Sequence, residues 1–277
     1  MDDRFYNKKE YILMKVSVCS GRPILSPCGL KDIEYQVDTY VGCEHYCYYC
    51  YALPQAETDW SEEILIYKDI VDQLSQELDK IPSQTIYMGY HTDPYQPCET
   101  EYRQTRKVLE LFLKRGFSAS ILTKSDLVVR DIDILKEMND AAISVSVAFN
   151  DNQTRRLFEA NTIDTEKRIE ALHKLKEAGV RTGALLCPII PYITDAIQII
   201  DMLEPYADVI WIYGLSISDR SGQNWLNIQK ILSNQPRDLI EQIEPVIFSK
   251  DHRYWAELRE SLEMLKKDRK LNLNIHI

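Results

Sequence analysis

The chain has 277 residues, which is enough for one large domain or two small ones and for a substantial core. Hydrophobic residues make up 45% and charged residues 27%, a composition that is typical of globular proteins and excludes a largely disordered chain. The 33 basic and 43 acidic residues give a formal charge of −10, which disfavours broad duplex binding because backbone phosphates require a basic face.

The N-terminal residues 1–16 lack the apolar core and the small-residue cleavage site of a signal peptide. No apolar run approaches the roughly 20 residues that are needed to span a bilayer. The sequence therefore predicts a cytoplasmic protein with no membrane partner. In that compartment the 7 cysteines are expected to be thiols or metal ligands rather than a disulfide framework.

Short β-rich runs alternate with amphipathic segments along the chain. Strands are predicted at 34–40, 84–90, 117–124, 142–149, 180–188 and 208–214. Helices are predicted at 61–80, 100–115, 131–139, 164–178 and 195–205. The clearest helix begins at Asp164 or Thr165 and ends at Gly179. A further helix is predicted at 252–270, followed by a closing edge strand at 271–277.

This alternation predicts an α/β fold with a parallel sheet built from right-handed βαβ units. Six strands in series favour a partial (β/α)6 TIM-type barrel, with an open doubly wound sheet as the alternative. No Gly-rich phosphate-binding fingerprint follows the first strand, which weakens that alternative. We predict a single domain over 1–277, with an N-terminal extension at 1–33, a core at about 34–215, and C-terminal helices with an edge strand at about 216–277.

The segment "VGCEHYCYYCYA" carries three cysteines at short spacing, Cys43, Cys47 and Cys50. A structural zinc site needs a fourth ligand, which Cys19 or Cys28 could supply and for which His45 is sterically awkward. A redox dithiol leaves Cys43 unexplained, and a disulfide is disfavoured by the compartment. Three thiolates on one loop fit a 4Fe–4S cluster in which one iron is left free to bind a substrate or cofactor, and zinc stays open as the alternative.

In a parallel α/β barrel, chemistry is concentrated in the loops after the carboxyl ends of the strands. All six predicted strands end in loops that combine turn residues with titratable or thiol side chains, as in "GYHTDPYQPCE" and "CPIIPYITD". These loops therefore predict one composite site at that end of the barrel.

The spacing Cys43-x3-Cys47-x2-Cys50 after a first strand resembles the signature of the radical S-adenosylmethionine (radical SAM) superfamily, as does the aromatic Tyr49 before the last cysteine. The similarity runs from Val41 to Asp195. It is strongest to the spore photoproduct lyase-like branch, through "GCEHYCYYCYA", "HTDPYQPCE", "LTKSDLVVRDIDIL", "SVSVAF" and "PIIPYITD".

The resemblance implies an enzyme that uses a 4Fe–4S cluster to cleave S-adenosylmethionine (SAM) reductively, and whose 5′-deoxyadenosyl radical abstracts hydrogen from an unidentified substrate. It implies that the three cysteines are the cluster ligands. By the same resemblance, cofactor-binding roles are expected for Tyr49 and Ile190 at adenine, Thr92 and Asp93 at the methionine moiety, Lys124 at its carboxylate, and Ser146 at the ribose. Turn formation, solvation and packing are the structural alternatives for these residues.

Spore photoproduct lyase has a hydrogen-donor cysteine at the end of its second strand, where this sequence has Tyr90. The donor is then Cys98, or Tyr90 itself, or absent from the reaction, and Tyr51 is a candidate for the same transfer path. Cys187 and His91 are further candidates that structural roles explain equally well or better. Glu159 and Arg168 match a pairing in this branch and are expected to form a structural ion pair.

The resemblance also implies an electron donor such as a flavodoxin or a ferredoxin. Repair of a nucleic-acid lesion is the first alternative function, although the acidic charge and the absence of the donor cysteine argue against thymine-dimer repair in duplex DNA. A non-catalytic zinc or iron–sulfur binding protein is the second alternative.

Overall fold

The computed structural model describes residues 14–277. The strands are β1 (Lys15–Cys19), β2 (Leu25–Pro27), β3 (Tyr35–Val37), β4 (Tyr40–Val41), β5 (Glu63–Tyr67), β6 (Thr85–Met88), β7 (Ser118–Thr123), β8 (Ala142–Ser146), β9 (Arg181–Ile189), β10 (Val209–Gly214) and β11 (Leu273–His276). The helices are α1 (Ile70–Leu78), α2 (Glu99–Tyr102), α3 (Gln104–Arg115), α4 (Ile132–Leu135), α5 (Asn152–Phe158), α6 (Thr165–Glu177), α7 (Ala196–Leu203), α8 (Gln223–Leu232), α9 (Arg237–Ile247) and α10 (Arg253–Arg269). Two short 3-10 turns lie at Leu53–Gln55 and Asp126–Asp131.

The main sheet has eight strands in the order β11-β10-β9-β8-β7-β6-β3-β2. The six central strands, from β3 through β6 to β10, are all parallel and follow chain order, which is the arrangement of a (β/α)6 barrel. β11 adds a parallel strand at one edge and β2 an antiparallel strand at the other, and the described strands do not close into a ring. The predicted α/β fold with a partial barrel is therefore confirmed.

The two faces of this sheet have different side chains because successive residues of a strand point to opposite sides. One face is aliphatic and fully buried against the helices, as shown by Ile121, Val145, Leu186 and Ile212. The opposite face, called here the inner face, carries smaller, polar and aromatic side chains: Tyr87, Ser120, Lys124, Ser144, Ser146, Cys187, Trp211 and Tyr213. The helices thus cover the outside, and the inner face is available for chemistry.

The helix predicted at 61–80 is wrong over its first part. Residues Glu63–Tyr67 form β5, which pairs in parallel with β1 and antiparallel with β4 in a separate three-stranded sheet. The run "EILIY" is short and rich in β-branched residues, and periodicity alone does not separate such a run from part of a helix. The helix of this segment, α1, begins at Ile70.

The helix predicted at 100–115 is broken into α2 and α3 at Arg103, which adopts a left-handed conformation with φ 53°. The buried Glu99 carboxylate accepts hydrogen bonds from the backbone N–H of Thr105 at 2.9 Å and of Arg106 at 3.2 Å. The Glu99 carboxylate thus satisfies two backbone N–H groups at the start of α3 that have no partner within the helix.

Other boundaries also differ from the sequence predictions. The strand predicted at 34–40 is divided into β3 and β4, which belong to different sheets. The helix predicted at 131–139 shortens to α4 after a 3-10 turn. The predicted helices at 164–178, 195–205 and 252–270 are confirmed as α6, α7 and α10, and β11 occupies the predicted edge position. Sequence analysis did not predict β1, β2 or α5, and it placed helices after residue 216 without giving the bounds of α8 and α9.

The C-terminal helices α8 and α9 bury a second apolar cluster beneath the segment that carries the three cysteines. Trp225 and Ile228 of α8 and Ile243 of α9 pack there with Tyr49 and Phe149. Burying such side chains stabilises the fold by roughly 1.5–3 kcal/mol for each one. Within residues 14–277, no helix is both long enough and apolar enough to cross a membrane.

Candidate active site

The three cysteines lie on a loop of successive turns that follows β4, called here the cysteine loop (residues 42–52). Gly42 opens the loop with φ 92°, a conformation that side chains rarely adopt. Tyr46 N–H then donates to the Cys43 carbonyl at 3.2 Å, and Cys50 N–H donates to the Cys47 carbonyl at 2.9 Å. These turns place three free thiols on one short coil.

The residues that follow β6 hold the cysteine loop from one side. The Thr92 hydroxyl donates to the Gly42 carbonyl at 2.5 Å, and the Gln96 amide donates to the same oxygen at 3.2 Å. Gln96 also accepts from the Glu44 backbone N–H at 2.8 Å, while the Glu44 carboxylate accepts from the Cys98 N–H at 2.6 Å. The Thr92 side chain therefore orients the loop in this structure.

Asp93 joins the same turn to β7. Its carboxylate accepts from Tyr95 N–H at 2.9 Å, from the Thr123 hydroxyl at 2.7 Å and from Lys124 N–H at 2.7 Å. Burial raises the pKa of Asp93, but His45 and the hydrogen bonds from Thr123 and Lys124 lower it by more. The resulting pKa is about 2. Asp93 is thus an ionised carboxylate that is fully engaged by the protein.

The side chain of Lys124 lies on the inner face between the cysteine loop and β8. Its Nζ is 2.9 Å from the Ser146 hydroxyl and 3.9 Å from the Glu159 carboxylate, and it stands 6.0 Å from the centre of the Tyr49 ring. Burial lowers the pKa of Lys124, but Glu159 and the Cys47 thiol outweigh this effect, so the pKa is raised. A charged ammonium group is therefore held beside the loop.

Glu159 connects three separate parts of the site. It accepts a hydrogen bond from the Tyr49 hydroxyl, and its other oxygen is 2.6 Å from the Arg168 guanidinium. Burial raises the pKa of Glu159, but the positive charges of Arg168 and Lys124 lower it by more. The resulting pKa is about 2. The predicted structural ion pair between Glu159 and Arg168 is confirmed, and both side chains are fully buried.

An apolar wall lies next to this charged group. Tyr49 and Ile190, the two residues predicted to contact adenine, share one buried cluster with Ala148 and Phe149. The rings of Tyr49 and Phe149 lie 6.5 Å apart, centre to centre. Tyr49, Lys124, Ser146 and Ile190 therefore lie around this wall and the charged group, and the other two predicted cofactor-binding residues, Thr92 and Asp93, are bonded to Gly42 and to the Lys124 backbone.

Burial raises the pKa of all three thiols of the cysteine loop. Burial, with help from Asp93 and Cys50, raises the pKa of Cys43 to about 12, and burial and Glu159 raise that of Cys47. Bound iron would offset the cost of burying a thiolate, because a cysteine that coordinates a metal loses its proton. Across residues 14–277, no group of three or more His, Cys, Asp or Glu side chains is arranged as a site for a single metal ion.

The structure separates the predicted hydrogen-transfer residues into two places. The Tyr51 hydroxyl donates to the Tyr90 carbonyl, and the two rings meet edge to face at 6.1 Å. Cys98 instead packs against Tyr40 and Ile64 beside the small sheet. Tyr51 and Tyr90 are thus brought together, and Cys98 is not brought to them.

Sequence analysis missed the aromatic wall at the far edge of the inner face. The His276 ring of β11 stacks on Tyr213 of β10 at 4.7 Å and 13°, and it lies nearly parallel to Trp211 at 5.9 Å and 7°. The alternation in "VIWIYG" and "LNLNIHI" was the signal that could have placed these rings on one face. Cys187, weighed above only as a candidate donor, also lies on this face, where burial raises its pKa to about 11 against the opposing effect of Lys124.

The cysteine loop lies beside the residues that follow β6 and β7, at the carboxyl ends of the parallel strands, where barrel enzymes have their active sites. The family model described as the Radical SAM superfamily matches residues 37–203, more than half of the chain. The chain belongs to the radical SAM superfamily and is an enzyme of that class.

Relatives in the curated proteins include archaeal, mycobacterial and clostridial members. An uncharacterized protein of Methanocaldococcus jannaschii is 28% identical over 248 residues, covering 85% of this chain and 94% of the relative. An uncharacterized protein of Mycobacterium tuberculosis is 30% identical over 183 residues, 61% of this chain and 54% of the relative. The spore photoproduct lyase of Clostridium acetobutylicum is 23% identical over 161 residues, 57% of this chain and 47% of the relative. This chain thus spans about half the length of the last two proteins.

Solved structures of spore photoproduct lyase have a similar fold. Spore photoproduct lyase complexed with dinucleoside spore photoproduct is similar with a TM-score of 0.55 at 16% identity, covering 80% of this chain and 66% of that chain. A mutant of that lyase with bound AdoMet and the same dinucleoside has a TM-score of 0.56 at 17% identity and the same coverage. The predicted resemblance to the spore photoproduct lyase-like branch is confirmed at the level of fold and family.

Proposed function

We propose that this enzyme holds a 4Fe–4S cluster through Cys43, Cys47 and Cys50. When bound, the cluster supplies the electron for reductive cleavage of SAM, and the resulting 5′-deoxyadenosyl radical abstracts hydrogen from a substrate that is not identified. The observation that carries this proposal is the position of the three thiols beside both a partly buried ammonium group, Lys124, and an apolar wall that contains Tyr49.

The residues around the loop have the chemistry that SAM requires. Lys124 offers a positive point charge to the methionine carboxylate, and Ser146 offers a hydroxyl to the ribose. Tyr49 and Ile190 offer apolar surface to adenine. Thr92 and Asp93 contribute through the backbone of their turn, since their side chains are already bonded to Gly42 and to β7.

Hydrogen transfer to or from the substrate is assigned to Tyr51, Tyr90 and Cys98 as a second part of the proposal. The contact between Tyr51 and Tyr90 beside the cysteine loop supports the first two. Tyr51→Phe and Tyr90→Phe are expected to keep SAM cleavage and to lower substrate turnover. Cys98→Ser tests whether the more distant thiol takes part.

A nucleic-acid lesion is a second candidate substrate. Similarity to spore photoproduct lyase and the stacked rings of Tyr213, His276 and Trp211 favour it, because bases stack on aromatic side chains. The net charge of −10 opposes binding to a long duplex. Binding of an irradiated oligonucleotide that weakens steeply with salt would support this candidate.

Anaerobic reconstitution tests the main proposal. The loaded protein should contain four irons and four sulfides per chain and show thiolate-to-iron charge-transfer absorbance. Dithionite with SAM should then yield 5′-deoxyadenosine and methionine. Cys43→Ser, Cys47→Ser and Cys50→Ser should each abolish the product, whereas Cys19→Ser serves as a control outside the loop. A complete cluster that never yields 5′-deoxyadenosine contradicts the proposal, and one zinc per chain without sulfide supports a binding protein instead.

A further inference from the structure

A buried glutamine in the turn between β6 and α2 binds the backbone of the cysteine loop. Gln96 is 0% exposed, so its polar atoms need partners within the protein. Its amide nitrogen donates to the Gly42 carbonyl at 3.2 Å and to the Thr92 hydroxyl at 3.0 Å, and its amide oxygen accepts from the Glu44 N–H at 2.8 Å. Two of these three hydrogen bonds therefore end on the backbone of the loop.

These two backbone bonds fall on either side of one proposed cluster ligand. The Gly42 carbonyl belongs to the peptide group before Cys43, and the Glu44 N–H belongs to the peptide group after it. Because each peptide group is planar, fixing the peptides on both sides of a residue restricts its two free backbone dihedrals. Gln96 therefore sets the direction in which the Cα–Cβ bond of Cys43 points.

The backbone around the other two thiols is held by different bonds. Cys50 N–H donates to the Cys47 carbonyl within the loop, and Tyr48 N–H donates to the Phe158 carbonyl at the end of α5 at 2.9 Å. Gln96 takes part in neither of these two bonds. A change at Gln96 is thus expected to release Cys43 before it disturbs the other two ligands.

We propose that Gln96 is a positioning residue for Cys43: it fixes the backbone of this ligand and thereby determines how firmly the cluster is held. Sequence analysis gave Gln96 no role, although it lies in the segment "HTDPYQPCE". The inference rests on the proposed function for its cluster, but the orientation of Cys43 is measurable without metal. Side chains that orient metal ligands typically account for roughly 10–100-fold in metal affinity, and three thiolates leave no spare protein ligand on this loop.

A second buried glutamine provides a matched control. Gln104, at the start of α3, is 4% exposed; its amide nitrogen donates to the Tyr67 carbonyl at 2.7 Å, and its amide oxygen accepts from the Tyr67 N–H at 3.2 Å. Tyr67 is on β5, outside the cysteine loop. Gln96→Met and Gln104→Met each remove a buried bridge between a side chain and backbone groups, so both should lower the unfolding midpoint. Gln96→Asn, whose shorter amide cannot reach both peptide groups, is a second variant in case Gln96→Met does not fold.

The first measurement uses the metal-free protein. Alkylation by iodoacetamide, assigned to each cysteine by tandem mass spectrometry, reports how often that thiol opens to solvent. Gln96→Met should raise the alkylation rate of Cys43 roughly tenfold and leave Cys47 within about twofold of the wild type, because the lost hydrogen bonds flank Cys43 alone. Gln104→Met should leave both rates within about twofold. An equal rise at Cys43 and Cys47, or the same rise in Gln104→Met, refutes the positioning role.

The second measurement uses the anaerobically reconstituted enzyme and follows the transfer of iron to the chelator EDTA. Gln96→Met should lose iron roughly tenfold faster than the wild type, whereas Gln104→Met should stay within about twofold. This comparison separates a specific effect on the ligand from a general loss of stability, because both variants give up buried hydrogen bonds. Equal rates of iron loss in the two variants refute the positioning role.

The two proposals fail in different ways. A wild-type protein that takes up no iron and sulfide refutes the proposed function, whatever the alkylation data show. A normal cluster in the wild type, together with equal alkylation and equal iron loss in Gln96→Met and Gln104→Met, refutes only the positioning role. Faster alkylation confined to Cys43 and faster iron loss confined to the Gln96 variants support it.

Discussion

The Glu159→Ala substitution removes a carboxylate that Tyr49, Arg168 and Lys124 share. Glu159 is 0% exposed and Arg168 1%, and their charged atoms lie 2.6 Å apart. Deleting one partner of a buried ion pair costs about 3–5 kcal/mol because the other charge is left uncompensated. Arg168 keeps hydrogen bonds to the Ser146 carbonyl at 3.0 Å and to the Ile163 carbonyl, so the lower end, about 3 kcal/mol, is expected.

Guanidinium unfolding followed by far-UV circular dichroism measures this loss. For a slope of about 6 kcal/mol per molar, the midpoint of Glu159→Ala should fall by about 0.5 M. The matched control is Glu170→Ala on the same helix as Arg168, because Glu170 also lies 2.6 Å from its partner Lys174. Glu170 and Lys174 are 60% and 50% exposed, so the unfolding midpoint of Glu170→Ala should be the same as that of the wild type.

Two further measurements separate burial from packing. The double variant Glu159→Leu with Arg168→Met should recover part of the lost stability, because it removes the uncompensated Arg168 charge but leaves Lys124 and the Tyr49 hydroxyl without their carboxylate partner. The pKa of Glu159 is lowered to about 2 in the folded protein, from an ordinary value of 4.5. Its contribution to the free energy of unfolding is therefore complete above pH 4.5 and is lost as the pH falls towards 2. Equal midpoints for Glu159→Ala and Glu170→Ala at pH 7 would refute this reasoning.

Three other predictions concern the metal, one titration and one backbone position. Cys47→Ser should bind less iron and lose its charge-transfer absorbance, whereas Cys98→Ser should keep both; equal iron in the two proteins would argue against the ligand assignment. The hydrogen bond that the His91 ring donates to the Asp38 carboxylate raises the pKa of His91, so Asp38→Asn should lower this pKa towards its ordinary value, and an unchanged imidazole titration by NMR would contradict the assigned cause. Gly89 has φ 100° and an added Cβ would lie 2.4 Å from the Leu122 carbonyl, whereas Gly116 has φ 72° and open space. Gly89→Ala should therefore lower the melting temperature more than Gly116→Ala, whose cost is about 1–2 kcal/mol; the reverse order would be inconsistent with the close contact.

The features that were predictable from the sequence are those encoded locally. The spacing of Cys43, Cys47 and Cys50 is a property of eight consecutive residues, and the structure needs only turn hydrogen bonds to bring the thiols onto one coil. The six parallel strands and the long helices were predicted from periodic apolar residues, because each element buries one face. Where the periodic run was short, as in Glu63–Tyr67, the same reasoning chose the wrong element.

Contacts between distant residues could be decided only by the tertiary structure. Tyr49 and Glu159 are 110 residues apart, and Lys124, which follows β7, contacts Ser146 of β8 across a strand pairing that no local pattern specifies. The sequence by itself determined that three cysteines share one short loop near the start of the barrel. Only folding decided that a buried carboxylate would link this loop to a lysine and an arginine, because that link depends on three elements meeting around one desolvated group.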